Sequence, residues 1–60
     1  MIQIEPLEFI ASLIEFNGVI VETSKDDLTY ETVYSLFDNT KYVIQRKTKN
    51  SNIVGVYRAD

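Results

Sequence analysis

A chain of 60 residues and 6.9 kDa buries only about 60% of its unfolded surface on folding, so its stability is marginal from the outset. It contains no Cys and no His, which removes disulfide staples, thiolate nucleophiles, cysteine metal clusters, the usual general base and the commonest metal ligand. The net charge of −3 also lacks the basic footprint of a nucleic-acid binder. Most enzyme chemistry is excluded, and the chain is expected to be neither an enzyme nor the holder of a cofactor or metal.

An apolar fraction of 45% and a charged fraction of 25% belong to a folded domain rather than a disordered segment. A single α+β domain over 1–60 is the expectation. Seven Ile, six Val and five Thr against two Ala tilt the chain toward sheet, with at least half of it in strand. Apolar runs such as 9–11 fall far short of the roughly 20 residues that span a bilayer, so no membrane association is expected. No base precedes Lys25, which argues against a secretory signal and, with the missing Cys, for the cytoplasm.

Along the chain, 1–4 reads as a short strand or a frayed end. From 5 to 16 the polar residues Glu8, Ser12 and Glu15 fall at spacings of four and three, which gathers them on one side of a helix and cannot be strand alternation. Pro6 suits the first turn, Glu5 and Glu8 complement the positive end of the dipole, and Asn17-Gly18 supplies a left-handed cap. A helix over 6–16 follows. The competing reading takes Asn17-Gly18 as a type I′ turn joining 13–16 to 19–22 in a hairpin.

Residues 19–23 are β-branched and read as a strand under either scheme. Ser24-Lys25-Asp26-Asp27 resembles a capping box with Asp in the place of Glu. From 27 to 38, Tyr30, Val33, Tyr34 and Phe37 follow the i, i+3, i+4, i+7 spacing, while Asp27, Glu31 and Asp38 align opposite, so a second helix is expected. An extended segment over 29–34 is the alternative, because Thr, Tyr and Val favour strands. Asp38-Asn39-Thr40 is turn chemistry. The runs 42–48 and 52–58 read as a hairpin around 49–52, with Gly55 marking a bulge or a close backbone approach. The expected fold is α+β, two short helices packed on a three-stranded antiparallel sheet, with a mostly-β chain carrying one helix as the alternative.

The charges are unevenly placed. Residues 1–38 hold eight acids and one base, a net of −7, and residues 39–60 a net of +4. On a second helix, Glu22, Asp26, Asp27, Glu31 and Asp38 would line one edge, and such a row can imitate nucleic-acid phosphates and draw in a protein with a basic groove. A plain solvated surface is the other reading.

The first helix adds a second surface. Its polar stripe is narrow, so Leu7, Ile10 and Ile14 can pack on the sheet while Phe9, Leu13 and Phe16 are left to find a partner, either another protein or a second copy of the chain. The alternative is that the remaining elements wrap both flanks. Residues Tyr42, Arg46, Lys47, Lys49, Tyr57 and Arg58 combine cations with rings, the ingredients of a nucleic-acid-binding hairpin. The leading expectation is a small protein-binding module that modulates or inhibits another macromolecule, in its most concrete form an enzyme that handles nucleic acid, through the acidic row and the apolar helix. A nucleic-acid-binding module using 41–58 and a structural homo-oligomer subunit are the alternatives.

Overall fold

Helix formation begins where the sequence places it. The computed structural model, which describes residues 1–59, has a helix α1 at Leu7–Asn17 behind an extended Pro6, with Glu8 in its first turn. The Asn17-Gly18 hairpin alternative is thereby set aside. Leu7, Ile10, Ala11 and Ile14 share one stripe of α1, and Ala11 and Ile14 are buried.

Strand β1 (Ile2–Gln3) precedes the helix, and β2 (Val19–Lys25), β3 (Tyr30–Ser35), β4 (Lys41–Arg46) and β5 (Ile53–Ala59) follow it. The five strands form one antiparallel sheet in the order β1-β5-β4-β3-β2. Because β1 and β2 are the two edges, α1 must cross from one edge to the other, and it packs chiefly on β5. Strands account for 28 of the 59 described residues, just short of half.

Two helices on a three-stranded sheet is therefore the wrong architecture, and the mostly-β alternative with one helix fits. The expected second helix at 27–38 does not form: 26–29 is a turn, 30–35 is β3, and 36–40 is a second turn. Tyr30, Thr32 and Tyr34 face the helix and Glu31, Val33 and Ser35 face away, since their partners across β4 are Arg46, Ile44, Tyr42, Gln45, Val43 and Lys41 respectively. The helical spacing of Tyr30, Val33, Tyr34 and Phe37 was a coincidence of composition. Pairing on both sides, to β2 and to β4, lets every other residue pack on the core, and strand propensity prevails.

The core lies between α1 and the sheet: Ala11, Ile14, Tyr34, Ile44 and Val56 are buried, with Ile4, Leu7, Ile10, Tyr42 and Ile53 packed against them. Ile44 and Val56 are the largest fully buried side chains, and burial of each contributes about 1.5–3 kcal/mol. On the opposite sheet face Val43 is also buried.

The turns are held by side chains. The Asp26 carboxylate accepts the backbone N–H groups of Leu28 and Thr29 at 2.8 and 2.6 Å, and Asp38 accepts that of Thr40 at 3.0 Å. Asn39, at φ 68°, supplies the left-handed residue of the 36–40 turn. Gly18 does not occupy the left-handed cap expected of it. Its φ and ψ are −99° and 157°, open to any residue, and its lack of a side chain serves close packing instead. A Cβ there would meet the Ile14 carbonyl oxygen at 2.7 Å, Tyr34 Cβ at 2.9 Å and Leu36 Cδ2 at 3.3 Å. Gly55 stands beside a register shift between β4 and β5, with the Tyr57 ring and the Gln45 side chain over the space a Cβ would take.

Candidate functional site

The outward side of α1 is a row of uncovered apolar side chains. Phe9 is 65% exposed, Leu13 47% and Phe16 87%, while Leu7, Ile10, Ala11 and Ile14 on the other side face the sheet. One helix is thus apolar on nearly its whole circumference, a composition suited to a helix covered on both sides. The surface continues past the helix. Phe37 is fully exposed, and with Leu36, Asp38 and Asn17 it lines an open cleft of about 590 Å³ between the helix end and the 36–40 turn. Val19, Ile20 and Val21, which begin the edge strand β2, are exposed as well.

Phe37 is the residue that sequence reasoning misplaced most. The helical spacing puts it on the buried side of a second helix, and it instead leaves the sheet at a turn. The available signal was its position directly before Asp38-Asn39-Thr40, since a residue at the mouth of a turn has no strand partner to pack against.

The acidic residues do not form the expected row. Asp26 and Asp27 sit in the 26–29 turn, and Asp38 sits in the 36–40 turn at the other end of β3, roughly 20 Å away along a six-residue strand. Glu22 lies opposite Val33 and Glu31 opposite Ser24, which makes the two acids diagonal neighbours about 7–8 Å apart on the face away from α1. Glu31 further accepts a hydrogen bond from Gln45 Nε2 at 2.8 Å. Asp26 and Asp38 in addition hold the two turns. The backbone N–H groups of Leu28 and Thr29 hold the Asp26 carboxyl below the usual carboxylate range, and the hydroxyl and N–H of Thr40 do the same for Asp38.

The folded chain also mixes the charges that the sequence separates. Tyr30 pairs with Arg46, so the turn carrying Asp26 and Asp27 and the turn carrying Lys47 and Lys49 lie at the same end of the sheet. Glu15 accepts a charged hydrogen bond from Arg46 Nη2 at 2.7 Å and another from the Tyr34 hydroxyl at 3.2 Å. Burial foremost, and then the Glu15 charge, raise the Tyr34 phenol above its ordinary value.

Because α1 packs toward β5, the β2–β3 half of the helix-side sheet face stays open. A groove of about 230 Å³ runs there between Glu15, Ile20, Thr23, Tyr30, Thr32, Tyr34, Arg46 and Lys49. It joins rings with cations, as nucleic-acid channels do. Its Arg46, however, is neutralised by Glu15, and its volume is below the 300 Å³ or more typical of small-molecule sites. Among the described residues no group of three or more acidic side chains is placed to hold a metal ion, and no helix is long and apolar enough to cross a membrane.

No protein-family model matches the chain, and comparison with curated proteins and with solved structures returns no match.

Proposed function

We propose that this chain is a non-enzymatic protein-association module whose contact surface is the outward face of α1, built from Phe9, Leu13 and Phe16 and extended at the helix end by Phe37. The observation that carries this reading is the exposure of Phe16 at 87% and Phe9 at 65% on a helix whose other flank already forms the core. In water such a surface is a standing cost, because apolar area left exposed forfeits about 25 cal/mol per Å² that a partner would recover. Rings with two side-chain torsions are also inexpensive to immobilise, which is why aromatic side chains dominate the centres of protein interfaces.

Site-specific photo-crosslinking tests the reading in cells that make the protein. A benzophenone amino acid at position 16 should give a discrete protein adduct, and the same group at Lys41, exposed on the opposite sheet face, should not. Equal labelling from both positions, or none from position 16, would remove the proposal.

A further inference from the structure

Resting on that association surface, we propose that its occupant is a second copy of this chain, with α1 of each copy packed antiparallel on the other about a twofold axis. Phe9, Leu13 and Phe16 are spaced by four and then three residues, the spacing of a helix–helix seam. In the antiparallel register, Phe9 of one copy meets Phe16 of the other, and the two Leu13 side chains flank the axis. Glu8 then lies opposite Asn17 of the second copy. The two Glu8 carboxylates stay roughly 14 Å apart along the seam at 1.5 Å per residue. α1 contains no Lys or Arg; the acid that Glu8 approaches across the seam is Glu15 of the second copy, whose charge its own Arg46 offsets at 2.7 Å, and the antiparallel helix dipoles oppose favourably. Phe37, beside Asn17 across the open cleft, reaches the first turn of the partner helix.

The area is of the right size. At about 200 Å² per ring, the exposed fractions of Phe9, Phe16 and Phe37 amount to roughly 500 Å², and Leu13 and Val19 enlarge the patch toward the ≈ 800 Å² per partner of a standard interface. The chain exposes 4353 Å², against about 4000 Å² for a compact monomer of its mass. The core explains why the cover should be a copy rather than an occasional partner. Ile44 and Val56 are the only large side chains fully buried among the described residues, and a 60-residue chain without Cys has a small core to which further apolar burial adds stability. A cover that stabilises the fold itself is most effective when present in proportion to the chain, a condition that a second copy meets by construction.

Sedimentation equilibrium of the full chain, with single cysteines introduced into its cysteine-free sequence, tests the inference. The wild type should sediment at twice the 6.9 kDa chain mass, and Phe16→Ser should raise the dimer dissociation constant at least 100-fold while circular dichroism shows whether it still folds. Independently of that variant, oxidising Ser12→Cys chains, in which the exposed position 12 flanks the axis beside Leu13 and every seam ring is kept, should give a disulfide-linked dimer, and oxidising Lys41→Cys should not. A folded wild type that remains monomeric near 1 mM overturns the inference, as does a dimer linked equally well through Lys41→Cys. If such a monomer still gives an adduct with a different protein from position 16, the association surface stands and only the self-pairing falls. If it gives no adduct at all, both fall.

Discussion

Replacing Gly18 by Ala separates two reasons for a glycine at a helix end. Its φ of −99° and ψ of 157° suit any residue, so on backbone conformation alone the alanine would stabilise by about 0.4–1 kcal/mol through the unfolded chain. The added Cβ nevertheless lands 2.7 Å from the Ile14 carbonyl oxygen and 2.9 Å from Tyr34 Cβ. Neither atom can move without carrying backbone, and the Ile14 oxygen already accepts the Gly18 N–H at 2.7 Å. Overpacking of this kind costs about 1–3 kcal/mol, so the net change should be destabilisation by about 1–2 kcal/mol. For a domain of this size each kcal/mol lowers Tm by about 4–8 °C. Thermal and urea unfolding followed by circular dichroism, with an unchanged m-value, measures it. Gly18→Asn sharpens the test, because Asn tolerates the left-handed region yet is larger than Ala. It should be worse than Ala here, and a Gly18→Asn protein as stable as wild type would show that glycine's freedom, and not the space beside Tyr34 and Ile14, is what the site requires.

Other consequences can be read from the same contacts. Glu15→Gln should cost about 1–2 kcal/mol, since Arg46 and Glu15 are only 16% and 32% exposed and a charge-assisted bond is lost; a double-mutant cycle with Arg46→Gln that returns no coupling would refute it. Tyr34 has its pKa raised in the folded state, so its protonated phenol contributes stability that is complete below pH 10 and is lost as pH rises through the folded value. The urea midpoint should fall above pH 10 and fall less in Tyr34→Phe, and identical alkaline profiles for the two would contradict this. Asp26 has the opposite sign: its lowered pKa gives stability present above pH 3.8 and lost as pH falls through the folded value. Asp26→Ala should therefore weaken the fold at pH 6 and flatten its acid limb, which a pH series of melting curves checks. Asn39→Val should cost about 1–2 kcal/mol at a φ of 68°, whereas Asn39→Gly should not destabilise, and equal melting temperatures for the two would refute the turn assignment.

The helix and the C-terminal hairpin were legible because local signals there agree with the fold. Glu8, Ser12 and Glu15 mark a helix within two residues of its observed ends, and 42–48 and 52–58 fall within two residues of β4 and β5. Over 27–38 the local signals conflict. Tyr30 and Tyr34 sit four apart, a spacing that satisfies a helix face and a strand face equally, so the side chains between them decide. Thr32 is buried and Glu31 bonds Gln45 across the strand, and neither fact exists until β4 lies alongside. Tertiary pairing chose the strand, and no periodicity within the segment could report it.

The same limit governs the site. The split of α1 into a packed flank and a bare one follows from helical geometry alone, so Phe9, Leu13 and Phe16 could be named from spacing, and their exposure of 65, 47 and 87% shows them left outside the core. Charge carries no such internal ruler. Eight acids in the first 38 residues describe a dipole only if the chain stays in sequence order, and a meander of hairpins returns it on itself. Each antiparallel turn brings a later segment beside an earlier one, so Arg46 closes onto Glu15, 31 positions away, and Lys47 and Lys49 share an end of the sheet with Asp26 and Asp27. Within a helix that forms, apolar periodicity is a local property that folding preserves. Charge asymmetry is a global one that antiparallel pairing dismantles, and that is why the contact surface argued for here is the helix and not the acids.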